Sequence, residues 1–248
     1  METKYIVEII LVLIVAGVSV FVIFGPGGMI KGIGSDREMC RVSVVAKWAS
    51  RHVAAEDLFD LECKSRIITI DKSMLSGASN QDEEIKRIIA NEMYDCWYQF
   101  NRGQFDFENM FSTAWSGPKN VCAVCADIRF DSGVSSAHPV VDGFNSWIID
   151  NKVPGKDYTY YDYLTNENAE DAKNEFKAAT TDTIDTTKAY QVVFSIIEGN
   201  PNGGTLLRTF LNSGVIGVIR NVIKANELSS SVLMIPIENT PDYCRNFY

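Results

Sequence analysis

Apolar and polar positions follow several different rhythms along this chain, and the first stretch stands apart from the rest. Residues 9–24 are uncharged throughout, and Tyr5, Ile6 and Val7 extend the run around Glu8. As a helix, residues 5–24 span about 30 Å, the thickness of a bilayer's hydrocarbon core. Gly25-Pro26-Gly27-Gly28 stops the run and begins a flexible exit. The pattern predicts a retained transmembrane anchor and linker over residues 1–30, followed by one body over 31–248. A cleaved signal peptide and a buried core helix are the alternatives. The former calls for small residues at the cleavage site, and Phe24-Gly25-Pro26 makes a poor one.

Past the linker, residues 36–61 read as a helix, carrying Val45, Trp48, Val53 and Leu58 without an internal Pro or Gly. Residues 66–71 (RIITID) are a β-branched run and predict a strand. Asp82 is placed to cap a second helix. From there Ile85, Ile88, Ile89, Met93, Cys96, Trp97 and Phe100 recur at steps of three and four, opposite Glu84, Arg87, Asn91 and Asp95. That spacing predicts an amphipathic helix ended by Asn101-Arg102-Gly103.

Strands are predicted over 121–130, 189–197 and 231–237. The second is apolar enough along its length to be central. The third carries Pro236 and is expected at an edge. Short helices are expected over 141–151 and 158–164, a charged one over 169–179, and a Thr/Asp-rich connector over 180–188. Leu206, Leu207, Phe210, Leu211, Val215, Val218, Ile219, Val222 and Ile223 predict a further helix over 206–224, with Arg208, Asn212, Arg220 and Lys224 on one face. Such a stripe is usually the core-facing side of a helix. The competing reading is a basic amphipathic helix lying on a membrane. No repeat is present, and strands and helices interleave without a strict βαβ rhythm, so the class is α+β.

Composition narrows the function classes. The 248 residues are 46% apolar with a formal charge of −9, which excludes a disordered chain and argues against a general nucleic-acid binder. Two histidines, His52 and His138, leave little for imidazole chemistry. Six cysteines, Cys40, Cys63, Cys96, Cys122, Cys125 and Cys244, are an even set. In an anchored, acidic domain such a set predicts paired disulfides outside the cytoplasm. The Lys and Arg count points the other way, with Lys4 before the apolar run against Lys31, Arg37 and Arg41 after it. That rule is weak for long translocated domains, and the cysteines decide the expectation in favour of an extracytoplasmic body.

Cys122-Ala123-Val124-Cys125 is the most suggestive short motif. It admits a redox dithiol, half of a zinc site, or two cysteines joined to distant partners by structural disulfides. Its β-forming neighbours and the lack of a second C-x-x-C point to the last. Cys96 sits on the apolar stripe of the helix before it and is expected to bond Cys122 or Cys125. Tyr158, Tyr160, Tyr161 and Tyr163 admit an aromatic recognition patch or a partly buried loop. No G-x-S-x-G, H-E-x-x-H or EF-hand loop is present, and residues 199–205 (GNPNGGT) lack the Lys of a P-loop. No catalytic or metal-binding residue and no cofactor is therefore assigned.

Two resemblances arise from these residues. The polar head and apolar run carrying Glu8 are similar to the assembly helix of type IV pilin-like proteins over some 25 residues. No Gly precedes the run where a prepilin peptidase would cut. The body resembles uncharacterised, N-terminally anchored archaeal membrane proteins. Met93-Tyr94-Asp95-Cys96-Trp97, Phe105-Asp106-Phe107 and Cys122-Ala123-Val124-Cys125 carry that likeness, with Pro154-Gly155-Lys156-Asp157 and Tyr160-Tyr161-Asp162-Tyr163-Leu164. It implies topology and no activity.

The expectation is a single-pass, membrane-anchored cell-surface protein with a disulfide-stabilised α+β domain, acting by binding or assembly. Its partners would be the lipid bilayer, through the N-terminal helix, and a protein partner or further copies of itself. The alternatives are a membrane-tethered thiol-disulfide oxidoreductase using Cys122 and Cys125, and a pilin-like filament subunit.

Overall fold

A computed structural model of the chain describes residues 36–50, 61–105, 121–165, 183–198, 216–219, 228–244 and 246–247. The expected anchor at 5–24 and charged helix at 169–179 lie outside them.

Helix α1 (Asp36–Ser50) leads into strand β1 (Arg66–Ile70) and then the long helix α2 (Gln81–Gln99). The cap of α2 is Asn80 rather than Asp82. Its Oδ1 accepts from the backbone N–H groups of Asp82 and Glu83 at 3.1 and 3.3 Å. Asp82, Glu83 and Glu84 then sit in the first turn, where the helix dipole favours negative charge. At the other end Asn101, Arg102 and Gly103 all take positive φ, so the chain turns away where the sequence predicts. The apolar stripe of α2 is buried as expected, from Ile85 to Phe100.

Strand β2 (Val121–Phe130) pairs in parallel with β1, so β1, α2 and β2 form one βαβ unit. Beyond it come helix α3 (Ser132–Ala137), strand β3 (Val140–Asp142) and helices α4 (Phe144–Asp150) and α5 (Tyr160–Thr165). Strand β4 (Thr183–Asp185), inside the expected connector, pairs with β3 as a separate ribbon. Strands β5 (Tyr190–Glu198), β6 (Ile216–Ile219) and β7 (Leu228–Pro236) complete the main sheet, with order β1-β2-β5-β7-β6. Helix α6 (Thr240–Tyr243) and strand β8 (Asn246–Phe247) come last, β8 lying parallel to β2. The architecture is mixed α+β, as expected.

The sheet is buried on both faces. On one, Ala123, Ala126, Ile128, Val192, Phe194, Val232 and Met234 join a core with Trp97 of α2 and Phe100 at its C-terminal cap. Phe194 stacks on Phe100 at 4.2 Å between ring centroids. On the other, Cys122, Val193, Ser195, Ser231, Leu233 and Ile235 are also buried. Burial on both sides is why residues 189–197 read as a nearly unbroken apolar run.

Two expectations fail here. Residues 216–219 are not helical: Ile216 pairs with Met234 and Ile219 with Ser231. Val215, Ile216, Val218 and Ile219 are β-branched around Gly217, a composition that weakens a helix and suits a pleated sheet. The rest of 206–224, with Arg208, Asn212, Arg220 and Lys224, lies outside the described residues.

Strand β7 is not an edge strand, since β5 and β6 flank it. Pro236 is its last residue, and the neighbouring Ile237 N–H donates to the Ala189 carbonyl at 3.0 Å. Alternation therefore turns the Pro236 nitrogen toward the β6 side, past the Ile216–Met234 pair where β6 begins. There the missing N–H breaks no described ladder bond.

Candidate functional site

The three-residue step of Cys122-Ala123-Val124-Cys125, placed on β2, decides what the motif can do. Along a strand, positions three apart point to opposite faces, and Cys125 is in addition the extra residue of a β-bulge between Val124 and Ala126. Cys122 bonds Cys244 and Cys125 bonds Cys96. The two are bonded to different partners and not to each other. Cys96 is bonded to one of the two cysteines expected of it. Cys40 and Cys63 form the third bridge, and no cysteine is free. Among the described residues no group of three or more His, Cys, Asp or Glu is arranged to hold a metal ion.

The tyrosine cluster is packed inward rather than displayed. Tyr160, Tyr161 and Tyr163 are buried, and Tyr163 stacks between Tyr94 at 4.1 Å and Tyr158 at 5.6 Å. The Tyr160 hydroxyl donates to Asn91 Oδ1 at 2.6 Å. Burial pushes the Tyr160 phenol up to about 12 and raises that of Tyr163 as well. These rings fasten α5 to α2.

His138 follows α3 and reaches back to the start of α2. Its Nδ1 lies 2.6 Å from Asp82 Oδ1 and its Nε2 2.7 Å from Gln81 Oε1. Both ring nitrogens are occupied in tying two elements together. His52 lies outside the described residues.

What the fold leaves open is a groove at the outer edge of β2. Strands β8 and β1 both pair with that edge, β8 at residues 121–122 and β1 at 126–130. Val124 falls between them. A cavity of about 850 Å³ opens there, bounded by Cys63, Lys64 and Ser65 before β1, by Gln191 of β5, and by Ile237, Thr240 and Pro241 after β7. Gln191 Nε2 donates to Asp127 Oδ1 at 2.9 Å, which fixes the amide. Thr240 Oγ1 donates to the Pro236 carbonyl at 3.3 Å.

The lining thus offers one cation, two hydroxyls, an amide and an apolar floor. Among the described residues the lining holds no carboxylate, imidazole or free thiol for acid–base or nucleophilic work. Such a set suits binding. Motif spacing could not reveal it, because its residues come from four separate segments. No protein-family model, curated protein or solved structure matches the chain.

Proposed function

We propose that this chain is a single-pass, membrane-anchored protein whose disulfide-stabilised domain lies outside the cytoplasm and works by binding or assembly. One observation carries the reading: all six cysteines are consumed in three bridges between separate elements. Cytosolic thiols are kept reduced, so a fully bridged set fits an oxidising compartment. The apolar run at 5–24 supplies the anchor. The groove beside Lys64 and Gln191 supplies a place for a ligand with an acceptor or an anionic group next to an apolar part.

The test traps thiols by alkylation in intact cells making the full chain, then counts them on the denatured, unreduced protein. No free thiol, with all six appearing after reduction, is the expected result. Four or more free thiols would place the domain in a reducing compartment and overturn the reading.

A further inference from the structure

Helix α1 has two apolar faces, and among the described residues only one of them is packed against the body. Cys40 and Val44 are fully buried, and the Cys40–Cys63 bridge pins that side to the body. Arg37 adds an ion pair to Glu92 at 2.8 Å and a second to Asp95, both on α2. The opposite side carries Met39, Val42 and Val45, which are 36%, 40% and 39% exposed. Ala49 is exposed beside them and Ala46 is half-buried.

The spacing of this outward face is specific. Met39, Val42, Ala46 and Ala49 follow steps of three, four and three, the a and d positions of a heptad seam. Two alanines among them permit close approach of a second helix. A helix is therefore the partner this face fits, better than a strand or a small ligand.

Where the chain comes from identifies that helix. The residues before Asp36 contain the 5–24 apolar run, only eleven residues upstream of α1. Two copies anchored in one bilayer would emerge on the same side and present their α1 helices side by side, pointing the same way. We infer that α1 is a parallel homodimer seam, in which Met39, Val42, Ala46 and Ala49 of one copy pack on the same residues of a second. The inference rests on the anchor proposed above. Four seam positions fall short of the ~1,000 Å² that a specific interface needs in free solution. Confinement in a membrane supplies the missing effective concentration.

The experiment uses the full chain in native membranes. Val42→Cys sits at a d position and should yield a disulfide-linked dimer under a mild oxidant, whereas Glu83→Cys, on α2 away from the seam, should not. Because an added cysteine can disturb the native bridges, a second variant, Val42→Glu with Ala46→Glu, is counted by single-molecule photobleaching. Its dimer fraction should fall roughly tenfold, as unpaired charge buried in a seam requires.

Equal cross-linking at both positions, or a dimer fraction unchanged by the two glutamates, would overturn the inference. Alkaline carbonate extraction, run in parallel, separates the two readings. A chain that stays in the membrane but remains monomeric sinks the seam alone. A chain that is extracted sinks the anchor and, with it, the confinement on which the seam rests, whether or not Val42 cross-links.

Discussion

Removing the three disulfides one at a time should destabilise the domain in the order of the loops they close. Cys122–Cys244 spans 122 residues and Cys40–Cys63 spans 23. On the chain-entropy model the longer loop contributes about 4.9 kcal/mol and the shorter about 3.4 kcal/mol, a gap of about 1.5 kcal/mol. Cys96–Cys125, spanning 29, falls close to the shorter at about 3.6 kcal/mol.

Each pair is replaced by two alanines, so that no odd thiol is left to reshuffle. Cys40, Cys122 and Cys244 are each 1% exposed and Cys63 is half-buried, so lost packing adds slightly to the cost of the Cys122/Cys244 variant, in the same direction as the loop lengths. Urea unfolding read by far-UV circular dichroism gives the loss, with the slope checked for two-state behaviour. The Cys122/Cys244 variant should be the least stable. If it matched or exceeded the Cys40/Cys63 variant in stability at equal slopes, unfolded-state entropy would not be what these bridges supply.

Alkali should unfold the domain through its buried phenols. Burial pushes Tyr160 and Tyr190 up to about 12 from 10.0. Between those values the unfolded chain gives up protons that the folded chain keeps, so the melting temperature should drop from pH 10 upward. Tyr190→Phe should flatten the fall, and an equally steep fall in the variant would refute the assignment. Gly103→Ala should cost more than the usual helix-end substitution. Gly103 has φ +61, and an added Cβ would collide with Ser230 Oγ and stand 2.6 Å from Trp97 Cη2. A calorimetric melt within a degree of wild type would show that the turn can relax.

Much of the body is legible in the sequence because local pattern and burial agree. The stripe from Ile85 to Phe100 and the run at 189–197 each have one period and one environment, and each forms the element its pattern predicts. The segment around Ile216 misleads because nine apolar residues at mixed three- and four-residue steps imitate a helix. Its β-branched composition is the better guide. In β7, Pro236 says nothing about the strand as a whole; it concerns a single N–H on one side. The partner of Cys96 narrows to two cysteines from helix and strand placement, but the bridge from Cys122 to Cys244 crosses 122 positions and leaves no local trace. The groove is illegible for the same reason. Gln191, Val124 and Thr240 meet only after the sheet is ordered.

The opposite orientations of Cys122 and Cys125 also set how the chain would respond to being pulled from its two ends. Tension passes from Cys40 across to Cys63, along the chain to Cys96, across to Cys125, back to Cys122 and out at Cys244. Strands β5, β6 and β7 lie inside the loop closed by Cys122 and Cys244, so no force runs through their backbone. Among the described elements, the first turn of α1, β1, most of α2, the stretch of β2 between the two cysteines and the two-residue β8 lie on the loaded path. A tether built this way can lengthen by the unravelling of one helix and one five-residue strand, after which covalent bonds take the strain and the central strands of the sheet keep their register.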